Sequence, residues 1–98
     1  MKYFMYKLIP PRPTFNLDMN AEEAAVMQSH IQYWNGLFAE RKVLIYGPVL
    51  DPKGVFGLAV IEVGSDEEAQ AMIDKDPAVT SGINKYELWP MLPGLVRQ

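Results

Sequence analysis

One histidine, His30, and one aspartate standing before a proline, Asp76, are the residues of this chain best suited to moving a proton. Imidazole is the side chain whose ordinary pKa lets it take or give a proton near neutrality. Counting about 100° per residue along what reads as the first helix, Ala24, Met27, Ile31, Trp34 and Phe38 form one apolar stripe. Val26, Tyr33 and Leu37 widen that stripe, and His30 falls between the two groups. So placed, His30 is either a packing residue whose polar tip meets a carbonyl or a partly shielded general base. Asp76-Pro77 also has two readings. The aspartate caps a following turn with proline in its first position, or it bonds one imidazole nitrogen, fixes the tautomer and strengthens the base.

Other residues offer places for a ligand. Tyr46-Gly47-Pro48 brings an aromatic and an accessible backbone to a strand end, which suits a pocket wall as well as a simple turn. Arg12 is the only cation in the proline-rich loop; it is either a bidentate clamp for an anionic ligand or a solvated loop charge. Tyr33, nearer the edge of the helical band, is able to reach a cleft, whereas Trp34 reads as core. Gly47, Gly54 and Gly57 lack phosphate-loop or dinucleotide spacing, and no serine sits in a nucleophile elbow. One histidine with scattered carboxylates is poor metal-site material, so neither a metal nor another cofactor is expected.

The elements that must position these residues follow from turn chemistry and periodicity. Lys2 to Ile9 reads as a strand stopped by Pro10-Pro11-Arg12-Pro13, with a loop through Asn16-Leu17-Asp18. Asn20 and Glu23 have capping-box spacing and open a helix from Ala21 to Glu40. Val43 to Tyr46 is a short strand ended by Gly47-Pro48, and Asp51-Pro52-Lys53-Gly54 turns the chain into a strand from Val55 to Val63. Ser65 and Glu68 open a second helix to Lys75; Asp76-Pro77 breaks it, Gly82 punctuates, and Ile83 to Met91 is the last strand, before a loose tail from Pro93. The order β-α-β-β-α-β predicts an α+β, ferredoxin-like fold: a four-stranded antiparallel sheet with two helices on one face.

Two strands are apolar on both faces. Phe56, Leu58 and Val60 oppose Val55, Gly57, Ala59, Ile61 and Val63, while Phe4, Tyr6 and Leu8 oppose Tyr3, Met5 and Ile9. Helices cover one face only, so the other predicts a homodimer packed through its sheets.

The 98 residues allow one domain spanning the chain. A net charge of −3 without a basic patch argues against nucleic-acid binding. No apolar run approaches the roughly 20 residues of a membrane span, cysteine is absent, and the N-terminus reads as strand, which together predict a cytoplasmic protein.

The opening KYFMYKLIPPRPTF, the segment Met27-Gln28-Ser29-His30 with Tyr33-Trp34, the strand end Tyr46-Gly47-Pro48-Val49, and Asp76-Pro77 followed by Gly82 together resemble the YciI-like (YCII-related) family. The resemblance implies a dimeric α+β barrel made of ferredoxin-like domains and a histidine–aspartate pair in a cleft, at His30 and Asp76 here. It also implies kinship in fold with muconolactone isomerases and with a relative that dehalogenates a muconolactone. The implied activity is cofactor-independent proton transfer, of lyase or isomerase type, on a small, lactone-like carbonyl compound. Arg12, Tyr33, Tyr46, Gly47 and Pro48 would hold the substrate. The alternative is a non-catalytic dimeric module that binds a small ligand in the same cleft. The extended Pro10 to Phe15 loop marks a subgroup.

Overall fold

The computed structural model describes residues 1–97. Strands β1 (Lys2–Ile9), β2 (Val43–Val49), β3 (Phe56–Val63) and β4 (Lys85–Met91) form one sheet in the order β2-β3-β1-β4. All neighbouring pairs are antiparallel. Two longer helices, α2 (Ala21–Ala39) and α3 (Asp66–Asp74), supply the crossovers, with one-turn helices α1 (Phe15–Asp18) and α4 (Pro77–Thr80) beside them. This is the expected ferredoxin-like α+β arrangement. No helix among the described residues is long and apolar enough to cross a membrane.

Capping sets the helix starts. The Asn20 side chain accepts from Glu23 N while Glu23 accepts from Asn20 N, and Ser65 Oγ accepts from Glu68 N. Each pair satisfies backbone donors that a helix N-terminus leaves free. The core lies between these helices and one sheet face: Phe4, Tyr6, Leu8, Ala59, Ile61 and Val63 from the strands meet Trp34, Leu37, Met72 and Ile73.

Several expectations need correction. The loop around Asn16-Leu17-Asp18 is a helical turn, held by Phe15 N→Arg12 O and Asp18 N→Thr14 O bonds. β2 does not stop at Gly47-Pro48 but runs to Val49, pairing Pro48 with Gly57. It is an edge strand, where proline's missing N–H leaves no ladder bond unmade. β4 starts at Lys85 because Asn84 folds back, its N–H donating to Ala78 O. The buried side of α2 is Met27, His30, Tyr33, Trp34 and Leu37, so the apolar stripe is rotated from the expected one. Ile31 and Phe38 are 43% and 52% exposed, and His30 faces inward.

One irregularity in β2 matters for the site. Val43 pairs with Ile61 on the helix-facing side, and a shift in register then pairs Ile45 with Val60 and Tyr46 with Ala59. A bulge at Leu44 therefore turns Tyr46 inward, where strict alternation from Val43 would have turned it out. On the opposite, uncovered face, Ile45, Val60, Met5 and Trp89 line up across all four strands. Ile45 and Trp89 are 64% and 56% exposed.

Candidate functional site

A cavity of about 280 Å³ opens between α2, the inner face of the sheet and the proline loop. Pro10, Phe15 and Met19 form the loop wall; Met27, His30 and Trp34 come from α2. Gly57 and Ala59 on β3 floor it beside Tyr6 and Leu8, and small side chains there leave the depth open. A Cβ at Gly57 would lie 3.2 Å from Leu8 Cβ, so the two strands already approach closely at this point. Among the described residues, no lysine, arginine or carboxylate lines the cavity.

Asp76 lies behind it with no exposed surface. Four groups converge on the carboxylate: His30 Nδ1 at 2.8 Å from Oδ1, Tyr6 Oη and Trp34 Nε1 each at 2.8 Å from Oδ2, and Ala78 N at 2.9 Å from Oδ1. The last is the N-cap bond of α4, with Pro77 in its first turn. The two readings of Asp76-Pro77 are thus one arrangement, in which the capping carboxylate also holds the imidazole.

Burial opposes the charge on Asp76, but the bonds from His30, Trp34 and Ala78 outweigh it and keep the carboxyl below its ordinary range. Burial, with the Asp76 charge next to it, pushes the Tyr6 hydroxyl far up, so Tyr6 acts as a donor throughout. An ionised carboxylate only accepts, so neutral His30 must carry its proton on Nδ1. Nε2 then presents a lone pair, and none of the described residues hydrogen-bonds it. The His30 side chain is 14% exposed and borders the cavity, which makes Nε2 the basic atom of the site. Tyr6 stacks on Trp34 with centroids 5.2 Å apart, and Tyr46 lies 6.2 Å from the same indole. Those rings fix the walls around the imidazole.

His30, Tyr46, Gly47 and Pro48 all border the cavity. The Tyr46 hydroxyl bonds Asn35 Oδ1. Two expected ligand contacts lie elsewhere. Arg12 spends its guanidinium on Asp18 (Nε–Oδ1, 2.8 Å) and on both oxygens of Glu23 (2.8 and 2.9 Å), stapling the proline loop to the start of α2. A clamp so neutralised has nothing left for an anion. Tyr33 donates to Met72 O at 2.6 Å and packs edge-on against Trp34, away from the cavity. With Arg12 outside and Asp76 negative, the cavity suits an uncharged ligand rather than the anion that Arg12 suggested. Sequence reasoning also missed Tyr6 and Asn84. Tyr6 was legible only as sharing one strand face with Phe4 and Leu8, and nothing around Asn84 marked it. Among the described residues no group of three or more histidine, cysteine, aspartate or glutamate side chains is placed to hold a metal ion.

The YCII-related domain matches residues 1–92. The chain belongs to this family. Among solved structures it is similar to 5-chloro-2-hydroxyhydroquinone dehydrochlorinase from Burkholderia phenoliruptrix, determined in complex with 2,5-dihydroxybenzoquinone. The TM-score is 0.69 at 20% identity, over 96% of each chain, a likeness of fold. No curated protein matches the sequence.

Proposed function

We propose that this YCII-related chain, acting as a single domain, is a small cofactor-independent enzyme that moves a proton on an uncharged, single-ring carbonyl or enol compound. His30 is the general base and Asp76 its orienting partner. The observation that carries this reading is the pair itself: Nδ1 tied to a buried carboxylate and Nε2 left open beside an apolar cavity. A cavity of about 150 Å³ already holds benzene, so one of about 280 Å³ accommodates a ring with several substituents. In the reaction, His30 Nε2 takes a proton from a hydroxyl or an activated C–H. The electron pair left behind moves into the ring, where it either expels an anionic substituent (a lyase) or collects the proton at another carbon (an isomerase). Asp76 stabilises the imidazolium formed. The backbone at Gly47 and Pro48 with the Tyr46 ring would hold the substrate edge. The dehydrochlorinase named above supports this class of chemistry through its own name and ligand.

The same reading includes a homodimer through the uncovered sheet faces, because Ile45, Val60, Met5 and Trp89 form an apolar row that no helix among the described residues shields. A cytoplasmic setting fits a chain without cysteine.

The test is turnover of neutral lactones and chlorinated hydroxyhydroquinones by wild type and His30→Gln. A positioned base contributes about 10²–10⁴-fold, so kcat should fall by that factor with binding retained. A compound that binds wild type and His30→Gln alike and is never turned over would favour the ligand-binding module.

A further inference from the structure

Asn84 is almost wholly buried, 5% exposed, at the end of the α4–β4 connection, and the residue borders the cavity. Its Nδ2 donates to Ala78 O at 3.1 Å and lies 3.6 Å from Met27 Sδ. Ala78 O can only accept, so the amide cannot be turned the other way round. Oδ1 is consequently left buried with no hydrogen-bond partner, the one side-chain oxygen or nitrogen among the described residues in that condition. Native structures rarely leave such an acceptor unpaired, because its desolvation goes uncompensated.

We infer that Asn84 Oδ1 is a specificity-determining acceptor of the cavity, filled by a hydroxyl or N–H of the ligand. This deepens the function proposed above and rests on the cavity being the ligand site. The substrate would then carry two polar points on an otherwise apolar ring: one proton donated to or shared with His30 Nε2, and a second donor satisfied by Asn84. A hydroxylated carbonyl ring meets that description; a plain lactone, which has no second donor, does not. Met27, unbranched and flexible, lies against the amide and borders the same cavity, so it is the side chain able to yield room as the donor enters.

The probes are catechol, resorcinol and hydroquinone, each with its monomethyl and dimethyl ether, titrated by calorimetry into the full chain. Wild type should prefer one free diol over its monomethyl ether by about five- to tenfold, the worth of one neutral hydrogen bond. Asn84→Leu, close in volume and lacking the acceptor, should abolish that preference while keeping or raising Tm, since the N–H of residue 84 still serves Ala78 O. If Asn84→Leu keeps the preference, the assignment is wrong while the cavity stands as a ligand site. If it loses all probes in parallel with a lowered Tm, Asn84 is only structural and the assignment is equally wrong. Should no diol bind wild type, both the assignment and the ligand reading of the cavity fall. A second readout needs no variant: the Asn84 side-chain carbonyl ¹³C resonance should move on adding the preferred diol and stay still with its dimethyl ether. The absence of that movement overturns the inference.

Discussion

Replacing Asp76 by asparagine keeps the shape of the side chain but exchanges one acceptor oxygen for an amide that donates. The four donors of wild type divide into two groups, His30 Nδ1 and Ala78 N at Oδ1, and Tyr6 Oη and Trp34 Nε1 at Oδ2. If the amide oxygen faces the first group, the NH₂ meets Tyr6, whose hydroxyl can rotate to accept, and Trp34, whose N–H cannot. If it faces the second, the Ala78 N–H is stranded instead. Either way one fully buried donor loses its partner, at about 1–3 kcal/mol, and the surviving bonds drop from charge-assisted to neutral strength. Relief from burying a charge offsets part of this. The net loss is about 2–4 kcal/mol from a total of about 5–15 for a domain this size, or roughly 10–25 °C in Tm.

The pH dependence supplies the sharper check. The folded Asp76 carboxyl titrates below its ordinary value of 3.8. Its contribution is therefore complete above that value and lost as pH falls through the lower folded one. Urea unfolding at pH 7 and at pH 3 should show the gap between wild type and Asp76→Asn shrinking in acid. A variant as stable as wild type at pH 7, or a gap that widens in acid, would refute the account of Asp76 as a stabilising, ionised hub.

Tyr6→Phe removes one donor and leaves Trp34 on the same oxygen, so unfolding should cost about 1.5–3 kcal/mol less; an unchanged urea midpoint would contradict the bond. Arg12, with Asn20 N, holds the Glu23 carboxyl down to about 2 from 4.5, so the staple between loop and helix should survive until pH approaches that lower value. Side-chain carboxyl NMR of Arg12→Ala should show Glu23 titrating back toward 4.5, with faster amide exchange across the proline loop and weaker ligand binding. Val60→Glu sets a charge in the middle of the uncovered sheet face without touching the cavity side. Sedimentation should show dimers for wild type and monomers for the variant, and a monomeric wild type would remove the dimer from the proposal.

Most of the fold was legible because local signals agree: the Asn20–Glu23 and Ser65–Glu68 caps, the proline stop after Ile9, and strands whose two faces are both apolar. What escaped were consequences of tertiary pairing. The bulge at Leu44 depends on which β3 residue each β2 residue meets, and no periodicity within a seven-residue strand announces it. Without it Tyr46 would face outward and the cavity would lose a wall. Arg12 shows the same limit from the electrostatic side. Its charge was visible, but a cation six residues from Asp18 and eleven from Glu23 is spoken for only when the loop folds back. Asp76 goes the other way. Its local role as a cap and its long-range role as partner to His30, 46 residues away, looked like rivals in the chain. A carboxylate has enough lone pairs for both, and here the cap bond, the indole and the phenol are what hold it rigid enough to orient the histidine. The capping bond is thus part of what holds the imidazole, since a substitution that spared the His30 bond but freed Ala78 N or Trp34 Nε1 would loosen the imidazole along with the fold.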